Sequence, residues 1–255
     1  MIRFQHLSKH YGDKVALADL SLTIPSGEIF GFLGHNGAGK STTLKSLVSV
    51  IAPTSGTISV DDLDLAGNRL AVKRKIGYVP DSPDLFLELT AGDYWDLLAS
   101  AYEVDPTARA QRQDELVRLF NMQDSISTPM ADFSHGMRQK AIIIGALLPD
   151  PDVWILDEPM TGLDPQAAYD LKLLMRRHAD EGKTVVFSTH VLATAQELCD
   201  ELAILKSGKL IYNGRVDQLL ATMPDENLES IYLKLAGRPE NDEVWRELEG
   251  ADQHE

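Results

Sequence analysis

One stretch restricts the fold of this 255-residue chain more than any other, the segment Gly34–Thr42 with the sequence Gly-His-Asn-Gly-Ala-Gly-Lys-Ser-Thr. It follows the apolar run Gly27–Leu33 and precedes the segment Leu44–Val48. This order of strand, glycine-rich loop and helix is the context in which G-x-x-x-x-G-K-[ST] binds phosphate. The glycines let backbone N–H groups curl around phosphates, the helix N-terminus adds partial positive charge, and a lysine and a hydroxyl complete the site. The stretch therefore predicts a site for ATP or GTP.

The segments around this loop predict an α/β fold with two additions. Short strand-like runs, Ile2–Phe4 and Leu20–Ile24, indicate an antiparallel β layer that leads into the central strand. From about Thr90 to Leu148 the apolar spacing is helical, which predicts a helical insertion. Before this insertion the sequence predicts a helix over 41–50 and strands over 56–60 and 76–80. After it the α/β order resumes, with a strand over 153–158, a helix over 166–180, a strand over 184–188, a helix after His190 and a hairpin over 202–212.

Two acids end one of these strands. Asp157 and Glu158 close the apolar run that begins at Val153. In an open α/β sheet the carboxyl ends of the strands face the ligand crevice, so both acids are expected beside Lys40. A carboxylate there can hold Mg²⁺, and its neighbour can orient or deprotonate an attacking water.

Composition limits the partners of the chain. The formal net charge is −15, which argues against binding nucleic acid or anionic lipid through a general basic surface. No apolar run reaches the roughly 20 residues that span a bilayer, so any membrane association is expected to run through a protein partner. The only cysteine, Cys199, lies in a helical pattern and is expected to be a packed residue.

Two loops have aromatic residues with more than one interpretation. Tyr11, in the first turn, could stack on a base or only pack. The connection from Pro80 to Leu89 contains the run Leu85–Leu87, which is unusual for an exposed loop. These residues either pack onto the helical insertion or line a groove that receives a cytoplasmic helix of a membrane subunit.

Several motifs in order resemble those of the ATP-binding cassette (ABC) ATPases, across roughly the first 220 positions. After the phosphate loop come the signature segment Phe133–Met137, the strand with its two acids Trp154–Pro159, the D-loop Gly162–Pro165 and the Ser-Thr-His switch that ends at His190. The methionine in the signature, the Pro-rich loop after Tyr78 and the tail over 228–235 resemble the exporter branch that includes Ecs-type, drug and antibiotic efflux systems.

The resemblance implies a P-loop NTPase (RecA-like) core with an antiparallel β subdomain and an inserted α-helical subdomain at about 90–148. It also implies a nucleotide-binding domain over 1–220, followed over 221–255 by a short helical extension with helices near 228–235 and 244–248. The implied ligands are ATP and Mg²⁺. The implied partners are a transmembrane permease and a second cassette, as a homo- or heterodimer, at the cytoplasmic face of the membrane.

Individual roles follow from the same resemblance. Lys40 is expected on the β- and γ-phosphates, Glu158 as the base and His190 as the sensor of the γ-phosphate. Ser134 and Gly136 are expected to bind the γ-phosphate held by the opposite subunit. The residues expected to bind nucleotide are Tyr11, Gly34, Asn36, Gly37, Ala38, Gly39, Lys40, Ser41, Thr42, Ser134 and Gly136, and those expected to bind metal are Ser41, Asp157 and Asp81.

Three residues depart from the family pattern. His135 and Met137 stand where the Leu-Ser-Gly-Gly-Gln signature has glycine and glutamine, and Asp81 stands where glutamine follows Tyr-Val-Pro. Asp81 is expected to remain a contact to Mg²⁺ or water. The leading hypothesis is an ATPase subunit that energises a separate exporter. The alternatives are a soluble ABC ATPase and a nucleotide-switched regulatory module not coupled to transport.

Overall fold

The computed structural model describes residues 1–237 and contains two sheets, nine α-helices and two short 3₁₀ helices within that range. The strands are β1 (Ile2–Tyr11), β2 (Lys14–Ile24), β3 (Ile29–Leu33), β4 (Ser55–Val60), β5 (Leu63–Asp64), β6 (Ile76–Val79), β7 (Val153–Asp157), β8 (Thr184–Thr189), β9 (Glu201–Lys206) and β10 (Lys209–Arg215). The helices are α1 (Lys40–Leu47), α2 (Arg69–Arg74), α3 (Ala91–Ala101), α4 (Pro106–Leu119), α5 (His135–Leu147), α6 (Pro165–Asp180), α7 (Leu192–Leu198), α8 (Val216–Ala221) and α9 (Leu228–Ala236).

The larger sheet has six strands in the order β10-β9-β3-β8-β7-β6. All neighbours in it are parallel except the β9–β10 hairpin. Strand β3 is central and its five residues are all buried. Because β3, β7 and β8 run parallel, their carboxyl ends lie at one edge of the sheet, where a ligand crevice forms in open α/β folds. The predicted α/β fold with a parallel core is therefore confirmed.

The second sheet is the predicted antiparallel layer, with strand order β2-β1-β4-β5. Strands β1 and β2 are longer than the runs predicted for them, because their outward-facing positions are polar and break the apolar pattern. Register shifts in their pairing add to this irregularity, and His6 and Asp19 have positive φ.

Two hydrophobic cores lie on opposite faces of the central sheet. Phe30 and Phe32 point into the core shared with the antiparallel layer and α1. Ile29 and Leu33 point into the core shared with the helical region and the later helices. Gly31 lies between the second pair, and a Cβ there would come within 2.5 Å of the sulfur of Cys199. Cys199 is thus buried, as predicted, although it caps α7 and does not lie inside it.

The helical insertion is confirmed and consists of α3, α4 and α5. Thr90 begins α3 with a reciprocal capping box to Asp93, and Asp105 caps α4 ahead of Pro106. The NH of the Trp95 indole donates to the Ala141 carbonyl at 2.9 Å and so ties α3 to α5.

Several predicted boundaries shift. Helix α1 ends at Leu47 and not at Val50, because Ser49 takes a positive φ of 57° before Pro53 is reached. Strand β7 ends at Asp157 because Glu158 has a φ of 50° and leaves the strand. The predicted helix over 228–235 is present as α9, whereas the one near 244–248 lies outside the described residues.

The loop before α3 leaves two apolar side chains at the surface. Leu85 is 42% exposed and Phe86 is 50% exposed, and the Phe86 ring lies at a tilt against Tyr94 with 5.5 Å between centroids. The run therefore packs in part on α3 of the helical insertion, through Phe86 and Tyr94, and in part stays exposed.

Candidate active site

The phosphate loop connects β3 directly to α1. Gly34 and Gly39 both have positive φ, 155° and 114°. A Cβ on Gly34 would lie 2.5 Å from the Leu205 carbonyl oxygen, and one on Gly39 would lie 2.9 Å from the Ala16 carbonyl oxygen. Glycine is required at both positions because the loop packs backbone against backbone.

Lys40 begins α1 and its side chain is only 5% exposed. Its ammonium group donates to the Gly34 carbonyl at 2.7 Å and lies 3.2 Å from Oε1 of Glu158. The positive charge of Lys40 therefore lies at the phosphate loop and beside Glu158, the residue that follows β7.

Asp157 is fully buried at the end of β7. Its Oδ1 atom accepts hydrogen bonds from Ser188 at 2.6 Å and from Ser41 at 3.0 Å. Burial raises the pKa of this carboxyl above its ordinary value, and the two serine hydroxyls act in the opposite direction. Its Oδ2 atom has no hydrogen-bond partner within residues 1–237. A buried carboxylate oxygen of this kind beside a serine hydroxyl fits Mg²⁺, which prefers oxygen ligands.

Glu158 is held between two nitrogen atoms. One is the Lys40 ammonium, and the other is the Nδ1 atom of His190, which lies 2.9 Å from Oε2 of Glu158. The backbone N–H of Glu158 donates to the Ser188 hydroxyl at 3.0 Å. The positive φ of Glu158 turns its side chain out of the strand toward this cluster. A carboxylate oriented in this way beside a phosphate loop can accept a proton from a water molecule.

A groove runs over the phosphate loop. It is lined by Tyr11, Lys14, Ala16, His35, Asn36, Gly37, Ala38, Gly39, Lys40, Ser41, Thr42, Asp81 and Glu158. Tyr11 is half exposed there, with the Lys9 ammonium 5.0 Å from the centre of its ring. Asp81 lies close enough that its charge also raises the pKa of the Asp157 carboxyl, after the larger effect of burial. Most of the residues predicted to bind nucleotide or metal are therefore brought together, and their individual roles stay predictions.

Ser134 and Gly136 lie elsewhere and are not among the residues of the described chain that line the groove. Ser134 caps α5 by accepting the Met137 N–H at 3.2 Å. A Cβ on Gly136 would lie 2.6 Å from the carbonyl oxygen of Gly162, so the signature segment packs directly on the D-loop. Met137 packs against the core, and its side chain faces inward.

Sequence reasoning did not assign a role to Ser188 or to Tyr232. Ser188 links Asp157 to Glu158, and its position two residues before His190 at a strand end was the signal that could have indicated it. Tyr232 accepts the backbone N–H of His35 at 3.1 Å. No local pattern indicates a contact between residues 197 positions apart.

A largely parallel sheet with this loop, two acids at the end of β7 and a histidine just after β8 defines a P-loop nucleoside triphosphatase. Comparison with known proteins narrows the class, since residues 17–161 match the family model described as ABC transporter. The chain belongs to the ABC transporter family, and it is an ATP-binding and ATP-hydrolysing subunit of that kind. Subunits of this family dimerise and work with transmembrane permease partners.

Curated relatives agree with this placement. The chain is 34% identical over 238 residues to the ABC transporter ATP-binding protein NatA of Bacillus subtilis, covering 91% of the chain and 97% of the relative. It is 33% identical to the ABC-type transporter ATP-binding protein EcsA of the same organism, covering 92% and 96%. It is 36% identical to the Nod factor export ATP-binding protein I of Rhizobium leguminosarum bv. viciae, covering 84% and 69%. The predicted likeness to the Ecs-type branch is therefore confirmed.

Solved structures agree as well. The ATP-binding subunit of an ABC transporter superposes with a TM-score of 0.87 at 34% identity, over 92% of this chain and 99% of that one. A dimeric ATP-binding cassette in a post-hydrolysis state, bound to ADP and Pi, superposes with a TM-score of 0.75 at 26% identity, over 85% and 99%. None of the helices within residues 1–237 is long and apolar enough to cross a bilayer.

Proposed function

We propose that this chain uses MgATP to drive a separate transmembrane exporter at the cytoplasmic face of the membrane, as one of two cassettes. The observation that carries the proposal is the meeting of Lys40, Ser41, Asp157, Glu158 and His190 at one edge of the parallel sheet. Export is supported by relatives that include a Nod factor export ATP-binding protein. Residues 1–220 form the cassette in this proposal, and residues 221–255 form a C-terminal extension.

Glu158 acts as the base in this proposal. The oxygen of a water molecule bonds to the γ-phosphorus while the bond from that phosphorus to the ADP oxygen breaks, and the water proton passes to Oε2 of Glu158. His190 holds Oε2 on one side and senses the γ-phosphate, and Lys40 holds the phosphate chain. The products are ADP and inorganic phosphate.

Ser41, Asp157 and Asp81 hold Mg²⁺, and the free Oδ2 atom of Asp157 supports this assignment. When bound, Mg²⁺ supplies positive charge that offsets the charge of the phosphates. Tyr11, which lines the same groove and is half exposed, stacks on the base.

Two further contacts belong to the proposal. Ser134 and Gly136 lie outside the groove of their own chain, so they act on nucleotide held by a second cassette, through the N-terminus of α5. ATP then favours a closed pair of cassettes, and hydrolysis releases them. Leu85 and Phe86 are exposed beside α3 and receive a cytoplasmic segment of the permease.

The test is purification of the tagged chain from detergent-solubilised membranes, followed by identification of the bound proteins. A membrane-spanning protein is expected, and a cysteine introduced at Phe86 is expected to crosslink to it. A cysteine at Leu173, which is 53% exposed on α6, is the matched control. Recovery of the chain without any membrane protein would contradict coupling to transport. Crosslinking that is absent at Phe86 in an assembled complex would contradict the proposed contact alone.

A further inference from the structure

The peptide unit between Gly34 and His35 is held at both of its polar ends. Its carbonyl oxygen accepts a hydrogen bond from the Lys40 ammonium at 2.7 Å. Its N–H donates to the Tyr232 hydroxyl at 3.1 Å. Because a peptide unit is planar, these two bonds fix one and the same plane. The Tyr232 hydroxyl therefore helps to fix the orientation of the Gly34 carbonyl, which holds the Lys40 ammonium.

Helix α9 carries Tyr232 and is firmly attached to the core. Leu228 and Ile231 are fully buried in the core that also contains Leu33, the last residue of β3. The Leu228 N–H donates to the Gln196 side chain of α7 at 2.8 Å, and Asn227 caps the helix. The phenol is thus presented to the loop from a rigid element.

The C-terminal end of α9 is attached near the other side of the same loop. The Lys206 ammonium, at the end of β9, donates to the Ala236 carbonyl. In the turn that follows β9, the Gly208 N–H donates to the Ala38 carbonyl of the phosphate loop at 2.9 Å. Two separate routes therefore connect α9 to the phosphate loop.

The ring of Tyr232 also forms one wall of a cavity beside the switch histidine. The other residues that line this cavity are Gly34, His35, Asn36, His190 and Leu192. His35 and Asn36 also line the groove over the phosphate loop. The phenol thus contacts the phosphate loop within the cavity beside His190.

We infer that Tyr232 is a positioning residue for nucleotide binding, which fixes the Gly34–His35 peptide and through it Lys40. This inference rests on the proposed roles of the phosphate loop and of Lys40. A loop already held in its binding conformation loses less freedom when nucleotide binds. Because the peptide is held in both ground and transition states, the hydroxyl contributes to KM more than to kcat.

Tyr232→Phe in the full chain removes the hydroxyl and retains the ring. We expect its Kd for MgADP, measured by titration calorimetry, to rise about 2- to 10-fold, the range for one hydrogen bond. In ATP hydrolysis its KM should rise by a similar factor, with kcat close to that of the wild type. The matched control is Tyr212→Phe, because the Tyr212 hydroxyl also makes a 3.1 Å hydrogen bond to the backbone, in its case by donating to the Arg215 carbonyl.

Each other outcome overturns the inference. An unchanged Kd in Tyr232→Phe, with or without a lower Tm, would show that the hydroxyl has no role in nucleotide binding and at most stabilises the fold. Equal weakening in Tyr212→Phe would indicate general destabilisation. Failure of the wild-type chain to bind MgADP would refute the nucleotide site itself, and the inference with it, whereas wild-type binding with an unaffected Tyr232→Phe would refute the inference alone.

Discussion

The Nδ1 atom of His190 lies 2.9 Å from the Oε2 atom of Glu158, a contact formed by the first residues after the neighbouring parallel strands β8 and β7. Glu158 thereby has one oxygen beside the imidazole and the other 3.2 Å from the Lys40 ammonium. Two nitrogen groups fix the direction of a single carboxylate. This arrangement fixes the Glu158 carboxylate beside the phosphate loop, where it can accept a proton.

Glu158→Gln should keep the shape of this side chain and remove its ability to take a proton. We expect the rate of ATP hydrolysis to fall by about 10²- to 10⁴-fold, the usual contribution of a general base. Phosphate release measures the rate, and binding of MgADP should stay near the wild-type value. Glu103→Gln, which affects an exposed ion pair with Arg74, is the control and should hydrolyse normally. Full hydrolysis by Glu158→Gln would remove the catalytic assignment.

Asp81→Ala should weaken the dependence of hydrolysis on Mg²⁺. Asp81 lines the groove and its charge acts on Asp157, so its loss should raise the Mg²⁺ concentration for half-maximal hydrolysis by roughly 10- to 100-fold. Titration of the rate with Mg²⁺ at saturating ATP measures this. Ser82→Ala changes the adjacent exposed residue and should leave the curve in place. Identical curves for Asp81→Ala and the wild type would contradict the metal assignment.

Gly136→Ala should separate the signature segment from the D-loop. The added Cβ would lie 2.6 Å from the Gly162 carbonyl oxygen, so one backbone segment must move, at a cost of about 1–3 kcal/mol. We expect lower hydrolysis with nucleotide binding by the single chain retained, because the groove is formed without Gly136. Gly12→Ala is a control for an added Cβ, since that glycine faces open space, although its positive φ adds some strain. Normal hydrolysis by Gly136→Ala would show that this close packing is dispensable.

His178 should make the fold sensitive to mild acid. Burial lowers its pKa from 6.5 to about 4, and Lys183 acts in the same direction while Asp150 and Glu181 oppose it. At His178 the unfolded chain therefore binds a proton between these pH values and the folded chain does not. The contribution of His178 to stability is fully present above pH 6.5 and is lost as the pH falls toward 4. The shift corresponds to about 3 kcal/mol.

Urea unfolding at a series of pH values measures this loss. His178→Phe keeps an aromatic ring against Trp154, which lies 5.6 Å away between ring centres, and removes the titrating group. Its stability should fall less steeply than that of the wild type in this window. Parallel pH profiles for the two proteins would contradict the assignment to His178.

Local sequence predicted those parts of the site that depend on chain order. Gly34–Thr42 forms its loop because its glycines permit the required backbone, and Lys40 and Ser41 follow from the same motif. Asp157 lies at the crevice because parallel strands align their carboxyl ends. The helical insertion followed from apolar spacing over 90–148, which is set by neighbouring residues.

Contacts between segments that are far apart in the sequence were decided only by the tertiary structure. Glu158 leaves its strand with a positive φ, and Ser188 forms hydrogen bonds with both Asp157 and Glu158. Neither feature can be predicted from apolar periodicity. The contact of Tyr232 with the phosphate loop depends on how α9 packs against α7 and the core. Sequence by itself therefore determined the class of the fold and the chemical groups of the site, because motifs and periodicity act over a few residues. Only the folded chain decided how those groups are oriented, because hydrogen bonds between strands and helices far apart in sequence exist only once the elements have packed.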